Sequence, residues 1–179
     1  MTAPARPLGV AVIGAGVEFR PPPSRSAVEK EVSVRFGLDA RYPLYVGGFA
    51  PNQNIVGLLN AFGQLVSQPA FAGTPLVFVG KREGDTVYDE AKEIDRRLER
   101  DDLKSRVRFP GFEQDEALVL LYQAAAALLL PSFVEGFGLS AVEAATCGTP
   151  AHRDAGEPVT RASAGMRRHT PRLRPSKGH

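Results

Sequence analysis

Two carboxylates, Glu135 and Glu143, stand eight positions apart, the first in a glycine-containing loop and the second in a stretch of helical period. On a helix that spacing is nearly two turns, roughly 10 Å along the axis at about 1.5 Å per residue. Ionised carboxylates are pure acceptors, so a pair at this separation can hold hydroxyl groups at the two ends of a hydroxyl-rich ligand. Gly136, Phe137, Gly138 and Leu139 lie between them and open the helix. Backbone N–H groups at such a start suit the oxygens of a diphosphate. A second loop of the same character, Gly47-Gly48-Phe49-Ala50-Pro51-Asn52-Gln53-Asn54, also precedes a helical stretch, and the cations Lys81 and Arg82 follow another apolar run. Taken alone, the spacing leaves a plainer reading open, with one loop carboxylate, one solvated helix charge, and Lys81 and Arg82 as solvated turn residues.

Positioning such groups requires a scaffold, and from Tyr42 onward short β-rich runs alternate with segments of helical period. That alternation predicts a parallel sheet covered by helices. The first strand spans residues 42–48, and its helix carries the stripe Ile55, Leu58, Leu59, Phe62, Leu65 and Val66. A second strand at 75–80 leads to a helix at 86–100, with Val87, Ala91, Ile94 and Leu98 inward and Lys92, Glu93, Arg96 and Arg97 facing solvent. The third pair is a strand at 107–109 and a helix at 115–126. The fourth strand, residues 127–130, is apolar throughout, as a strand buried on both faces should be. It ends at Pro131 and leads to a helix at 137–146 with Gly148 as its C′ residue. In a sheet of order 3-2-1-4-5-6, ligands sit outside the carboxyl ends of strands 1 and 4, and both unusual loops fall there.

Residues 1–41 read as a preface rather than a domain: an apolar run at 10–13, a proline block at 21–23, and a short helix ending near Phe36 and Gly37, with Ser26 and Glu29 as a capping box. Gly14-Ala15-Gly16 invites a nicotinamide or flavin reading, which needs a small residue at position 19 and a helix opening there. Position 19 is Phe, and Arg20 and three prolines occupy the place of the helix.

With 43% apolar residues over 179 positions, the chain can bury one sizeable core and is too short for two full α/β domains. Its single Cys147 excludes an internal disulfide framework, and it reads as a small buried hydrophobe. No apolar run approaches the roughly 20 residues of a spanning helix, so a cytoplasmic location is expected, with peripheral contact with a membrane left open. The net charge of +2 arises in residues 151–179, whose seven basic residues leave 15 basic against 18 acidic over residues 1–150. That tail has no aromatic residue to stack on bases, so no nucleic-acid partner is expected. His152, His169 and His179 form no ligand spacing with Cys147, and no Asp-x-Asp pair is present, so no metal and no cofactor is expected.

The run Pro131-Ser132-Phe133-Val134-Glu135-Gly136-Phe137-Gly138-Leu139-Ser140-Ala141-Val142-Glu143-Ala144-Ala145-Thr146-Cys147-Gly148-Thr149-Pro150 resembles the signature of the group-1 (family 4) retaining glycosyltransferases. The resemblance continues through Val107-Arg108-Phe109-Pro110-Gly111-Phe112, Leu76-Val77-Phe78-Val79-Gly80 and Tyr45-Val46-Gly47-Gly48-Phe49, and covers about residues 8–150. It implies an α/β fold, a Rossmann-like parallel sheet with helices on both faces, forming one half of a two-domain GT-B enzyme. Residues 42–150 would be the domain that binds a nucleoside diphosphate sugar, incomplete at its C-terminal end, and residues 1–41 the interdomain connection and short helix. Glu135 would contact the transferred sugar and Glu143 the ribose. The backbone from Gly136 to Leu139 would meet phosphates and sugar, and Pro110 and its neighbours would border the base. Gly47, Gly48, Gln53 and Lys81 complete the donor site, Gln53 standing where the family places a lysine. The acceptor site and a histidine near the reacting carbon belong to an N-terminal domain that would have to come from elsewhere, so the chain alone is expected to be inactive. A non-catalytic nucleotide-sugar-binding module or gene remnant is the alternative. Residues 151–179 are expected to be a basic, disordered or out-of-frame tail that adds no strand, which would leave residues 127–130 as an exposed sheet edge.

Overall fold

The computed structural model describes residues 24–39, 41–81, 90–100, 102–133, 138–153 and 157–159. The preface to residue 23, with its glycine and proline motifs, lies outside them, as do Arg82, Glu135, Gly136, Phe137 and residues 160–179.

Helix α1 (Arg25–Phe36) places Val28 and Val32 on one buried face four residues apart. It stops at Gly37, whose left-handed φ of 65° turns its N–H back onto the Ser33 carbonyl at 2.9 Å. Its N-cap is Ser24 rather than Ser26, without a side-chain capping bond, because the helix begins at Arg25, two residues earlier than a cap at Ser26 would start it. Strand β1 (Pro43–Val46) follows, then α2 (Ile55–Val66), β2 (Leu76–Val79), α3 (Glu90–Arg100), β3 (Val107–Gly111), α4 (Asp115–Ala124), β4 (Ala127–Leu130) and α5 (Leu139–Thr146). Gly148 closes α5 with φ 82°, as the sequence led us to expect. Of the inward stripe expected in α3, Ile94 and Leu98 are buried and Ala91 is exposed, while Val87 lies outside the described residues.

The strands form one sheet in the order β3-β2-β1-β4 and onward, parallel throughout this part. Alternation along each strand divides the core into two layers. Leu44, Val77, Val79, Leu128 and Leu130 face α1, α4 and α5. Tyr45, Leu76, Phe78 and Val107 face α2 and α3. Each fully buried side chain of this kind contributes about 1.5–3 kcal/mol relative to exposure, so both layers are needed to hold the sheet. The α/β fold with helices on both faces is therefore present.

Beyond Pro150 the expectation fails. Residues Ala151–Arg153 form a fifth strand, β5, parallel to β4, with Leu128, Leu129 and Leu130 opposite Ala151, His152 and Arg153. A sixth, β6 (Glu157–Val159), runs antiparallel to β5. Strand β4 is thus an interior strand, not an exposed edge. Pairing uses backbone N–H and C=O groups that every residue other than proline brings, so a stretch with Ala151 as its one apolar residue still pairs with β4. Ala151 is buried, and the Leu128 N–H donates to the Pro150 carbonyl at 2.8 Å.

Candidate functional site

At the carboxyl ends of β1 and β2 the chain approaches itself too closely for side chains. Gly80, at φ 151°, places its Cα so that an added Cβ would lie 2.0 Å from the Gly47 carbonyl oxygen. A Cβ on Gly47 would lie 2.7 Å from the Tyr45 hydroxyl oxygen. The Gly47 N–H donates to the Val79 carbonyl at 3.0 Å, and the Gly80 N–H to the Gly111 carbonyl at 2.9 Å, so three strand ends close into one rim.

The loop from Gly47 to Asn54 is held from several sides. The Tyr45 hydroxyl donates to the Gly48 carbonyl at 2.6 Å and lies 3.1 Å from Gln53 Oε1. Phe49 packs against Phe78 and Phe109, with ring centroids 5.9 and 6.1 Å away. A single 3-10 turn (Pro51–Gln53) then leads to Asn54, which adopts a left-handed φ of 54° at the start of α2. Asn54 Nδ2 donates to the Pro131 carbonyl at 3.1 Å, and the Phe133 N–H donates to the Asn52 carbonyl at 3.0 Å. The loops after β1 and β4 are therefore adjacent and stitched together, as the switch-point order requires.

A cleft of about 420 Å³ opens beside this rim, on the α4 side of the sheet, lined among others by Gly47, Gly48, Lys81, Phe112, Glu113 and Leu118. Lys81 Nζ sits 5.7 Å from the centroid of the Phe112 ring, which is 70% exposed at the mouth. Glu113 lies 3.9 Å from Arg35. Pro110 lines a neighbouring depression with Arg35, Phe36, Arg108 and Phe109, which shares Glu113 with the cleft. The Gln53 amide oxygen lies 3.1 Å from the Tyr45 hydroxyl, and Gln53 is not among the residues lining this cleft.

Glu143, on the second turn of α5, is half-buried and accepts a hydrogen bond from the Tyr122 hydroxyl, 2.9 Å from its Oε2. This replaces the solvated helix charge that its position alone would have allowed. Burial raises the Tyr122 phenol pKa, and the Glu143 charge raises it further, so the hydroxyl stays a donor. The same two causes push the thiol of Cys147 up to about 11. The Tyr122 carbonyl accepts from Thr149 Oγ1, and the Thr149 N–H donates to the Ala144 carbonyl at 2.8 Å, pinning α4 to the end of α5. Gly138 starts α5 in a left-handed conformation, φ 62°, and Leu139 is exposed beside it.

Of the candidates read from the sequence, the fold brings Gly47, Gly48 and Lys81 to one cleft and sets Gly138, Leu139 and Glu143 on the helix following the adjacent strand end. Tyr122, Asn54, Tyr45 and Thr149 went unnoticed; each is a polar atom on an otherwise apolar or turn residue, and only tertiary contact gives it a partner. Among the described residues, no group of three or more His, Cys, Asp or Glu side chains is placed to hold a metal ion, and no helix is long and apolar enough to cross a membrane.

The family model described as glycosyl transferases group 1 matches residues 29–151. O-antigen chain mannosyltransferase B of Escherichia coli is 39% identical over 111 residues, which are 61% of this chain and 27% of that protein. Among solved structures, Anabaena HepE in complex with UDP and glucose aligns with a TM-score of 0.62 and 25% identity, over 74% of this chain and 34% of that one. The C-terminal domain of the glycosyl transferase group 1 family protein LpcC from Francisella tularensis aligns with a TM-score of 0.64 at 19% identity, over 84% of this chain and 71% of that domain, a likeness of fold. The chain thus spans about a quarter to a third of the length of the mannosyltransferase and of HepE.

Proposed function

The chain belongs to the group 1 glycosyl transferases, and from that premise we propose that it is the donor-binding domain of a retaining, family 4 hexosyltransferase. In the complete enzyme the sugar of a nucleoside diphosphate sugar would pass to a hydroxyl acceptor, with the nucleoside diphosphate as leaving group. The observation that carries this reading is the convergence at one end of the sheet of the glycine loop after β1, the cleft that Gly47, Gly48 and Lys81 line, and a carboxylate held in place on α5. That is the set a nucleoside diphosphate needs: backbone close enough for phosphate, a cation for its charge, and an acceptor for ribose hydroxyls.

In this reading Gly47 and Gly48 border the phosphates, the backbone from Gly136 to Leu139 meets phosphates and sugar, and Leu139 brings an N–H of a helix start. Pro110 and Phe112 border the base, Glu143 accepts from the ribose, and Glu135 meets the transferred sugar. Gln53 brings no charge, so Lys81 carries more of the diphosphate than a single cation ordinarily would. The ligand is a donor substrate, and no cofactor enters. The acceptor site belongs to a further domain, so the chain by itself binds donor without transferring it, in the cytoplasm.

Calorimetric titration and thermal shift with UDP, GDP and their common sugar conjugates test the reading. Saturable binding of a nucleotide sugar by the isolated chain is expected, with transfer only after an acceptor domain is supplied. Failure of every nucleotide and nucleotide sugar to bind would favour the gene remnant instead, and binding with no transfer even beside an acceptor domain would favour the non-catalytic module.

A further inference from the structure

We propose that Tyr122 is the positioning residue that sets the Glu143 carboxylate for the ribose, so that preference for a ribonucleotide over a deoxyribonucleotide depends on a hydroxyl that need not touch the ligand. This rests on the donor-binding reading of Glu143. Helices α4 and α5 both start at the carboxyl ends of the strands they follow, and helical side chains lean toward the N-terminus of their own helix. Tyr122 and Glu143 therefore lean toward the same end of the sheet, the end where the cleft opens. Leu118, one turn before Tyr122 on α4, lines that cleft.

A glutamate on a helix surface has three rotatable bonds and spreads its carboxylate over a wide arc. Here Oε2 is held at 2.9 Å by a phenol that is itself fully buried, which narrows the arc over which Oε1 can swing. The phenol cannot drift, because its own backbone carbonyl is held by Thr149 Oγ1 and by the Ala125 N–H at 3.1 Å. A preset acceptor loses less freedom when it binds a hydroxyl than a mobile one does. The benefit should appear only with ligands that carry the hydroxyl.

The test is calorimetric titration of the chain with UDP and with 2′,3′-dideoxy-UDP, or with the guanine pair if GDP binds more tightly. Wild type, Tyr122→Phe, Glu143→Gln and the double variant are compared, each checked by thermal melting. Tyr122→Phe should raise the Kd for the ribonucleotide roughly five- to tenfold, the size expected of ordering one rotamer-rich side chain, while leaving the dideoxy ligand unchanged. In the Glu143→Gln background the tyrosine change should add nothing. Equal weakening of both ligands by Tyr122→Phe would reduce the tyrosine to a packing role and overturn the proposal. So would a Glu143→Gln variant that loses the ribose preference while Tyr122→Phe keeps it. A wild-type chain that binds both nucleotides equally, or Glu143→Gln without effect, would instead remove Glu143 from the ribose and the proposal with it. If Tyr122→Phe fails to fold, Glu143→Asp, which draws the carboxylate one methylene away from the phenol, must show the same ribose-only loss or the proposal falls.

Discussion

Asn54 Nδ2 donates to the Pro131 carbonyl across 3.1 Å, joining the entry of α2 to the end of β4 at the point where the sheet's connections diverge. Asn54 also holds a left-handed φ of 54°, a conformation that costs most residues about 1–2 kcal/mol and asparagine less. Asn54→Ala loses the bond and adds that strain, for a destabilisation of about 2 kcal/mol. Asn54→Gly loses the bond but relieves the strain, so its cost should stay below about 1 kcal/mol. Urea unfolding of the two variants checks the order; an alanine variant as stable as the glycine one would mean that the strain term does not operate.

At the glycine rim the contrast is sharper. Gly80→Ala places a methyl group 2.0 Å from the backbone oxygen of Gly47, which cannot swing aside as a side chain could. Destabilisation of about 3 kcal/mol or more is expected, in the range of backbone strain combined with overpacking. At Gly48 a Cβ meets nothing within 4 Å, and Gly48→Ala should stay within about 0.5 kcal/mol of wild type. Thermal melts of the pair decide whether the rim is rigid: similar melting temperatures would show that β1 and β2 separate easily.

Four of the strands and their order were legible because buried parallel strands read as continuous apolar runs, as in residues 127–130, and because α2 keeps its stripe of Ile55, Leu58, Leu59, Phe62 and Val66. Strand β5 was not legible, since Ala151-His152-Arg153 carries neither alternation nor a run, and its ladder is satisfied by backbone alone. In the site, the glycines and Glu143 were marked by their spacing. Tyr122 was not, because an aromatic within an apolar helix stripe looks like core until a carboxylate twenty-one residues later is found at its hydroxyl. Gln53 was read by position in the loop, and the contact that turns its amide toward the Tyr45 hydroxyl was not legible there.

That orientation shapes the next expectation. Gln53→Lys gives up a contact with the Tyr45 hydroxyl, which keeps its 2.6 Å bond to the Gly48 carbonyl. A charged hydrogen bond to phosphate contributes about 1.5–3 kcal/mol in favourable geometry, less when solvent reaches it. Affinity for a free nucleoside diphosphate should therefore rise about three- to tenfold, measured by calorimetric titration. Lys81→Ala should lower it and flatten its dependence on salt. A Gln53→Lys variant that binds no better would remove position 53 from the phosphates, and an unaffected Lys81→Ala variant would leave the cleft without its cation.

Cys147 offers a test of the packing beneath Glu143 that needs no ligand. Its thiol is buried at the end of α5, and burial, with the Glu143 charge second, raises its pKa from 9.0 to about 11. Between those values the unfolded chain has lost the proton and the folded chain retains it. Stability from this group is therefore complete below about pH 9 and declines as pH rises toward about 11, by at most about 1.4 kcal/mol per pH unit. Tyr42 and Tyr122, whose phenols are also raised by burial, add a loss above pH 10 that any cysteine variant shares. The difference between wild type and Cys147→Ala isolates the thiol, and urea unfolding from pH 7 to 11 should show their gap shift in the variant's favour only above pH 9. Glu143→Gln removes the second cause, so the shift should still begin near pH 9 but level off at a lower pH and be smaller. A gap that stays constant across the range would mean that water reaches the thiol, and with it the contact between α4 and α5 that holds Glu143 in place.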